Sequence, residues 1–151
     1  MLERLGPDLC EPDADLDAVV TRLASLEPDT ELAAALLDQR VAAGIGNVFK
    51  SEICWAERVS PFVAIAELDN ATRRRIYETA HLQLTSNLTT GRRTTYGRGL
   101  AVYRRSGRRW PRCGERIMSG RDRATRSTYW CPRCQPDGKM RGVRTVTTRD
   151  D

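Results

Sequence analysis

The sequence has little histidine, no long apolar run and an odd number of cysteines. Its 151 residues include one histidine, His81, and five cysteines. No run of about 18 apolar residues occurs, so no membrane-spanning helix is expected. The first 17 residues lack the basic-then-apolar order of a secretory signal. An odd cysteine count argues against a fully paired extracellular disulfide scaffold, and we therefore expect the reducing cytoplasm.

Lysine is also scarce, because only Lys50 and Lys139 are lysines and the other 23 basic residues are arginines. Residues 1–90 carry 8 basic and 15 acidic side chains, a net charge of −7, whereas residues 91–151 carry 17 and 5, a net charge of +12. A biased genome composition explains arginine over lysine, but it does not explain this segregation of charge. Because the planar guanidinium matches phosphate, the C-terminal region predicts contact with nucleic acid.

Residues 1–90 have helical periodicity and form the first predicted domain. Two glycines in the stretch GIGN interrupt this pattern and predict a turn between helices. Four helices are predicted: one capped by Asp13 or Asp15 and ending near Ser25, one capped by Thr30 over 31–42, one capped by Asn47 over 48–58, and one capped by Asp69 over 70–88. The last helix should bury Ile76, Ala80, Leu82 or Leu84, and Leu88.

The pattern changes after residue 90. Residues 91–107 are predicted to be a basic linker that includes a hairpin strand, because LAVYRRSGRRW alternates and then turns at a Ser-Gly pair. Residues 108–138 are expected to form a zinc-finger-like β-hairpin and residues 139–151 a flexible tail. The predicted fold class is mainly α with a small β zinc-ribbon hairpin.

The stretch GIGN at residues 44–47 is a candidate anion site. A helix N-terminus exposes free backbone N–H groups and a partial positive charge. Gly44 and Gly46 allow a phosphate to approach the backbone, Asn47 adds an amide donor, and Lys50 adds a charge one turn later. A glycine-rich turn with a purely structural role is the alternative interpretation.

Three cysteines near the C-terminus have the spacing of a zinc ribbon with one ligand missing. Cys131 and Cys134 form a C-x-x-C pair, and Cys113 belongs to a second pair whose other position is Trp110. Two such turns together bind tetrahedral zinc. Indole offers zinc no lone pair, so we expect weak or partial zinc binding through three thiolates.

Two alternatives remain open for the missing ligand. Water, Asp122 or Asp137 completes the zinc site, or the ribbon folds without metal and Trp110 packs where a ligand would lie. Between the two cysteine turns, the loop carries three arginines that can reach a phosphate or remain in solvent: Arg121, Arg123 and Arg126. Cys54 is expected in the core, and His81 on a helix surface.

Two segments together resemble one known family. LLDQRVAAGIGNVFKSEICWAERVSP resembles the helix–two-turn–helix of the formamidopyrimidine-DNA glycosylase / endonuclease VIII family, and CGERI with TRSTYWCPRCQ resembles its C-terminal zinc-finger hairpin. The resemblance covers about residues 5–135. It implies bacterial base-excision repair, in which such enzymes remove oxidised bases and cleave the abasic site by elimination. The implied partner is double-stranded DNA with damaged or abasic sites, in the cytoplasm at the nucleoid.

The resemblance also implies roles for individual residues. Asn47 matches the family's phosphate-binding asparagine, and Arg126 matches the finger arginine that contacts phosphates beside the extruded nucleotide. Three of the family's four zinc ligands are matched, by Cys113, Cys131 and Cys134, with Trp110 in the place of the first.

The start of the sequence departs from the family pattern. Family enzymes begin with a β-sandwich domain whose N-terminal proline is the nucleophile, whereas this sequence opens with Met1-Leu2-Glu3 and continues into helices. The chain alone is therefore expected to bind DNA as the C-terminal half of a DNA glycosylase/AP lyase, without efficient excision. The alternative is a non-enzymatic zinc-ribbon adaptor or DNA-binding regulator, whose partner would contact exposed rings of Trp110, Tyr129 and Trp130.

Overall fold

A computed structural model describes residues 4–88, 93–96, 99–110, 113–121, 126–135 and 144–145. The helices are α1 (Leu16–Leu23), α2 (Leu32–Leu37), α3 (Asn47–Ala56) and α4 (Asn70–Ser86), with a 3-10 turn at Ile65–Glu67. The strands are β1 (Met118–Arg121), β2 (Ser127–Trp130) and β3 (Arg144–Thr145). The mainly helical fold with a small antiparallel hairpin is therefore as predicted. Within the described ranges, no helix is long and apolar enough to cross a bilayer.

Local signals in the sequence correctly place the starts of α1 and α4. The Asp15 carboxylate accepts the backbone N–H of Ala18 at 3.1 Å, and the Asp69 carboxylate accepts that of Thr72 at 2.7 Å. Each aspartate thereby satisfies an N–H group that lacks a partner inside the first turn. In α4 the buried stripe runs through Ile76, Ala80 and Leu84, whereas Leu82 and Leu88 are exposed, so burial of Leu88 was wrongly predicted.

The start of α2 differs from the prediction, because its N-cap is Glu31 rather than Thr30 and no side chain caps it. The N–H groups of Leu32 and Ala33 instead donate to the carbonyls of Val63 and Pro61, both at 2.8 Å. A neighbouring segment of backbone thus replaces the side-chain cap.

The end of α2 also differs, because the helix stops at Leu37 and does not continue to residue 42. Asp38 has an extended backbone, and its carboxylate accepts the N–H of Arg40 at 3.0 Å and its guanidinium at 2.7 Å. This local hydrogen bonding competes with helix continuation. The guanidinium also holds the pKa of the Asp38 carboxyl below its usual value.

The buried apolar residues form two clusters. The helical core contains residues from all four helices and the turns between them, among them Leu23, Leu36, Ile53, Ile76 and Tyr77. The second cluster, here called the finger core, is composed of Trp55, Ala101, Val102, Trp110, Ile117, Cys131 and Cys134. Helix α3 contributes to both clusters and contacts α2, α4 and β2.

The strands form one small antiparallel sheet in the order β2-β1-β3. In the β1–β2 pair, here called the finger hairpin, Met118 faces Trp130 and Arg121 faces Ser127. Strand β3 pairs with the end of β1 through Gly120 and Arg121, and it lies within the segment for which a flexible tail was expected.

The hairpin strand predicted at the end of the linker is not formed. Residues 100–108 consist of turns and bends, and Arg109 makes only an isolated bridge with Arg116. The reason is the fully buried carboxylate of Glu52 in α3. It accepts the backbone N–H groups of three successive residues, Ala101, Val102 and Tyr103, at 2.5, 2.8 and 3.0 Å. Three successive N–H groups cannot point to one carboxylate from an extended strand, in which they alternate in direction.

Candidate nucleic-acid interface

The GIGN turn lies directly before α3 and leaves the helix N-terminus accessible. Gly44 and Gly46 are exposed, and Gly46 rather than Asn47 is the N-cap. Gly44 has φ +109°, a conformation that disfavours residues with a Cβ. A Cβ on Gly46 would meet no atom within 4 Å, so the space in front of α3 is open there. Asn47 was predicted to cap the helix and is instead its first residue, because its side chain is engaged elsewhere.

The Asn47 side chain connects the GIGN turn to the finger hairpin. Its amide nitrogen donates to the backbone carbonyl of Ser127 at 3.1 Å, across 80 residues of sequence. Ser127 is the first residue of β2 and directly follows Arg126, whose side chain is exposed. The structure therefore brings together the GIGN turn and Arg126, both of which were predicted to bind phosphate.

Lys50 lies behind Asn47 and is fully buried. Its Nζ donates to Asn47 Oδ1 at 2.6 Å, to the Ser127 carbonyl at 3.0 Å and to Thr128 Oγ1 at 2.8 Å. The Nζ of this residue is thus directed at the finger hairpin, whereas the sequence predicted a charge available to an anion one turn into α3. The next residue, Ser51, accepts the backbone N–H of Tyr129 at 3.1 Å, so α3 and β2 are joined along several successive residues.

Arginines flank this junction. Arg121 at the end of β1 is exposed and pairs in register with Ser127, so it lies across the hairpin from the strand that Arg126 precedes. Arg123 lies outside the described residues. The end of the hairpin next to Asn47 therefore presents two guanidinium groups, on Arg121 and Arg126.

The three predicted metal ligands lie together at the other end of β2. The Sγ atoms of Cys113, Cys131 and Cys134 are all within 4.8 Å of one another, and the first two are 3.4 Å apart. Zinc–sulfur bonds of about 2.3 Å place tetrahedral ligands about 3.8 Å apart, so the three thiols fit one face of a zinc tetrahedron. Burial raises the pKa of the Cys131 thiol to about 11. Metal binding must therefore displace protons from this site.

Trp110 occupies the finger core instead of contributing a fourth ligand. It is 3% exposed, and its ring makes edge contacts with Trp55 at 5.3 Å and Tyr96 at 4.9 Å between centroids. The guanidinium of Arg105 lies 5.1 Å from the ring centroid. The ring of Trp110 is therefore packed, as in the alternative in which the ribbon folds without metal. Both aspartates considered as the fourth ligand, at positions 122 and 137, lie outside the described residues.

The exposed aromatic patch expected for an adaptor is not formed. Trp110 and Trp130 are buried, and Trp130 packs edge-on against Phe62 at 4.7 Å. Tyr129 is half-buried against Tyr103 at 5.1 Å. These rings join the finger to the rest of the fold, so they do not form a free surface for a partner.

The other two residues considered as candidates have structural roles. Cys54 is fully buried as predicted, and burial raises the pKa of its thiol to about 12. His81 was expected on the helix surface, but it is half-buried and its Nδ1 lies 2.9 Å from the Leu9 carbonyl. The contacts of Ser127 and Thr128 with α3 were missed, since no pattern in the sequence marks a carbonyl or hydroxyl as a lysine acceptor.

Comparison with protein families and curated proteins gives a consistent result. The model of the formamidopyrimidine-DNA glycosylase H2TH domain matches residues 5–97. Probable endonuclease 8 2 of Streptomyces coelicolor is 42% identical over 152 residues, covering 93% of this chain and 54% of its own length. DNA-(apurinic or apyrimidinic site) lyase Nei2 of Mycolicibacterium smegmatis is 41% identical over 136 residues, covering 87% and 52%. The chain thus spans about half the length of the curated relatives it matches.

Solved structures show the same fold. MutM (Fpg) from Thermus thermophilus has a TM-score of 0.73 at 32% identity, over 89% of this chain and 55% of that chain. Lactococcus lactis Fpg in complex with DNA containing an abasic site has a TM-score of 0.71 at 23% identity, over 87% and 51%. The second likeness shows the shared fold alone.

Proposed function

Because the chain belongs to the formamidopyrimidine-DNA glycosylase H2TH-domain family, we propose that it binds damaged DNA as the C-terminal half of a base-excision-repair DNA glycosylase/AP lyase. Its partner is double-stranded DNA with damaged or abasic sites. The name of the Mycolicibacterium smegmatis relative, an apurinic or apyrimidinic site lyase, supports this choice of DNA.

The observation that carries the proposal is the hydrogen bond from Asn47 to Ser127, 3.1 Å long. It places the open N-terminus of α3 beside the strand that follows Arg126. Backbone N–H groups at a helix N-terminus bind phosphate, and a guanidinium provides two charged, coplanar N–H donors for the neighbouring phosphate. In this proposal Asn47 and Arg126 hold one sugar–phosphate strand, and Gly44 and Gly46 let it approach the backbone.

Lys50 belongs to the same site through its bonds to Asn47 and Ser127. Arg121, across the hairpin, adds positive charge to the region. The net charge of +12 in residues 91–151 strengthens the attraction to the DNA backbone. Contact with about three phosphates would give a slope near −3 for the logarithm of affinity against the logarithm of salt concentration.

Zinc is the metal that the three thiols of Cys113, Cys131 and Cys134 would hold. It would join the turn at Cys113 to the end of β2 and thereby fix the finger hairpin. Gln135 already supports this turn, because its side chain accepts the N–H of Cys131 at 2.8 Å and donates to the Val59 carbonyl at 3.0 Å. With Trp110 in the finger core, we propose that the metal is held weakly, by three thiolates and an exchangeable fourth ligand.

Binding to DNA at several salt concentrations tests the proposal. We expect tighter binding to an abasic-site duplex than to an intact duplex of the same sequence, with the negative salt slope given above. Asn47→Ala and Arg126→Ala should each weaken binding to the abasic duplex about tenfold or more. Arg74→Gln is the charge-matched control, since Arg74 is paired with Asp17 and Glu78 on the helices. Affinity that does not depend on salt, or equal losses in all three variants, would contradict the proposal.

Base excision by this chain alone is not part of the proposed activity, because the amine that the proposed interface contains, on Lys50, is buried and donates to three acceptors. Treatment with borohydride in the presence of abasic DNA traps any imine formed with a protein amine. We expect no covalent adduct. An adduct on this chain would show that it contains its own nucleophile.

A further inference from the structure

We propose that Lys50 is a positioning residue, which clamps the finger hairpin onto α3 and so holds Arg126 beside Asn47, and that it does not itself contact phosphate. This inference rests on the proposed DNA binding for its function. The clamp itself is a property of the folded chain and can be measured without DNA.

Burial of Lys50 is the first argument. Lysine is almost never fully buried unless its ammonium has partners. Here the side chain is 0% exposed, and so is Thr128, one of the residues it contacts. A phosphate in solvent cannot reach an ammonium enclosed in this way without prior opening of the junction between α3 and β2.

The arrangement of acceptors is the second argument. An ammonium carries three N–H donors, and Nζ is within 2.6–3.0 Å of three acceptors. One acceptor, Asn47 Oδ1, is on α3 itself, and the other two are on β2. The three bonds therefore connect the first turn of the helix with the first two residues of the strand.

The Ser127 carbonyl is the centre of this connection, because it accepts from both Asn47 and Lys50, at 3.1 and 3.0 Å. Ser127 is the residue directly after Arg126, so fixing its carbonyl restricts the backbone from which the Arg126 side chain starts. Asn47 is oriented as well, since Lys50 holds its Oδ1 and leaves its amide nitrogen directed at Ser127.

A direct phosphate contact would disrupt this arrangement. If Nζ turned toward DNA, the buried hydroxyl of Thr128 would lose its donor, and the Ser127 carbonyl would lose one of two. Burying polar groups without partners is unfavourable, and DNA would have to offset that cost before binding gained anything. The geometry therefore favours a Lys50 that acts through Arg126 and Asn47.

A double-mutant cycle between Lys50 and Arg126 distinguishes the two roles. Lys50→Met keeps a long apolar side chain and removes the ammonium. Alone, it should weaken binding to the abasic duplex about tenfold, and in an Arg126→Ala background it should weaken binding further by less than about threefold. A phosphate contact by Lys50 predicts additive losses instead, with the salt slope reduced by about 1 in both backgrounds. Additive losses with that change in slope would overturn the proposal.

Thr128→Val and Lys50→Arg provide two further tests. Thr128→Val is nearly isosteric and removes only an acceptor for Nζ, so it should weaken binding in the same direction and non-additively with Lys50→Met. Lys50→Arg should not restore affinity, because the larger guanidinium does not fit the enclosed site, whereas a phosphate contact would tolerate arginine. No effect of Thr128→Val, or full rescue by arginine, would contradict the clamp.

Hydrogen exchange without DNA separates this inference from the proposed function. Lys50→Met should speed exchange of the Tyr129 amide, which donates to Ser51, while α4 amides keep their rates. Unchanged exchange at Tyr129 overturns the clamp, even if the wild-type chain binds DNA. Faster exchange in a chain that does not bind DNA supports the clamp and refutes the proposed function. If Lys50→Met does not fold, the same measurement on Thr128→Val decides the outcome.

Discussion

The carboxylate of Glu52 offers the sharpest test of how the linker is attached to α3. Glu52 is fully buried, and its two carboxylate oxygens accept hydrogen bonds from different groups. Oε1 accepts from the Ala101 N–H at 2.5 Å and from the Thr95 hydroxyl, and Oε2 accepts from the N–H groups of Val102 and Tyr103 at 2.8 and 3.0 Å. Glu52→Gln preserves the shape and replaces one acceptor oxygen by a donor.

The magnitude follows from which oxygen is replaced. With the amide NH₂ at the position of Oε2, two backbone N–H groups would face a donor. The less costly orientation has NH₂ at the position of Oε1, where the Thr95 hydroxyl can turn to accept and only the Ala101 N–H loses its partner. That loss costs about 1–3 kcal/mol. The bonds that remain lose their charge assistance, about 1 kcal/mol each, so the total is about 3–5 kcal/mol.

Urea unfolding followed by circular dichroism measures this change in the free energy of unfolding. In thermal unfolding, a loss of about 3–5 kcal/mol should lower the melting temperature by roughly 10 °C or more in a chain of this size. Glu78→Gln is the matched control, since Glu78 is half-exposed and pairs with Arg74 on the surface of α4 at 3.3 Å. Its effect should stay within about 0.5 kcal/mol. If Glu52→Gln costs less than about 1 kcal/mol, the carboxylate does not hold the linker as described.

Three other expectations can be tested with single substitutions. Trp110→Cys should raise zinc affinity at least about tenfold, because structural zinc sites are normally four-coordinate, as measured by competition with a chromophoric chelator; equal affinity would mean that a fourth ligand already exists. Gly44→Ala should cost about 1–2 kcal/mol in urea unfolding because its φ is positive, whereas Gly46→Ala, with no atom within 4 Å of the added Cβ, should cost less than about 1 kcal/mol and still weaken DNA binding. Similar stability losses in both glycine variants would contradict the described turn. Asp69→Ala should lower the melting temperature at neutral pH, and the difference from wild type should shrink below about pH 4. The pKa of Asp69 is lowered by its bonds to Thr72, so its stabilising contribution is present above its usual pKa of 3.8 and disappears as the pH falls through the folded-state value. A pH-independent difference would contradict this cap.

Features that depend on neighbouring residues in the sequence were predictable. Asp69 was predictable as a cap, and Asp15 as one of two candidates with Asp13, because a cap and its N–H partner lie within three residues. The cysteine cluster followed from spacing, since a C-x-x-C pair with a third cysteine at the position of a second ribbon turn has few other uses. Because indole cannot bind zinc, packing of Trp110 was one of the two alternatives that the sequence left open.

Features that depend on contacts across the fold were not predictable. Thr30 looked like a cap, but backbone carbonyls some thirty residues away satisfy the first turn of α2. Asparagine is a common N-cap residue, yet the side chain of Asn47 donates to the carbonyl of Ser127, 80 residues away. The alternation in residues 100–110 favoured a strand. In the structure, three N–H groups of this segment instead donate to the buried carboxylate of Glu52. In each case a tertiary partner outweighed a local preference.

Helix α3 has buried side chains from Val48 to Trp55. Phe49, Ile53 and Cys54 belong to the helical core, and Trp55 belongs to the finger core. In a scan of all substitutions, most changes in such a helix would destabilise the protein, whereas exposed positions of α1 and α4 would accept many residue types. Evolutionary change there would require compensating changes in two cores at once. The ten residues of α3 should therefore drift more slowly between related genomes than the segments on either side.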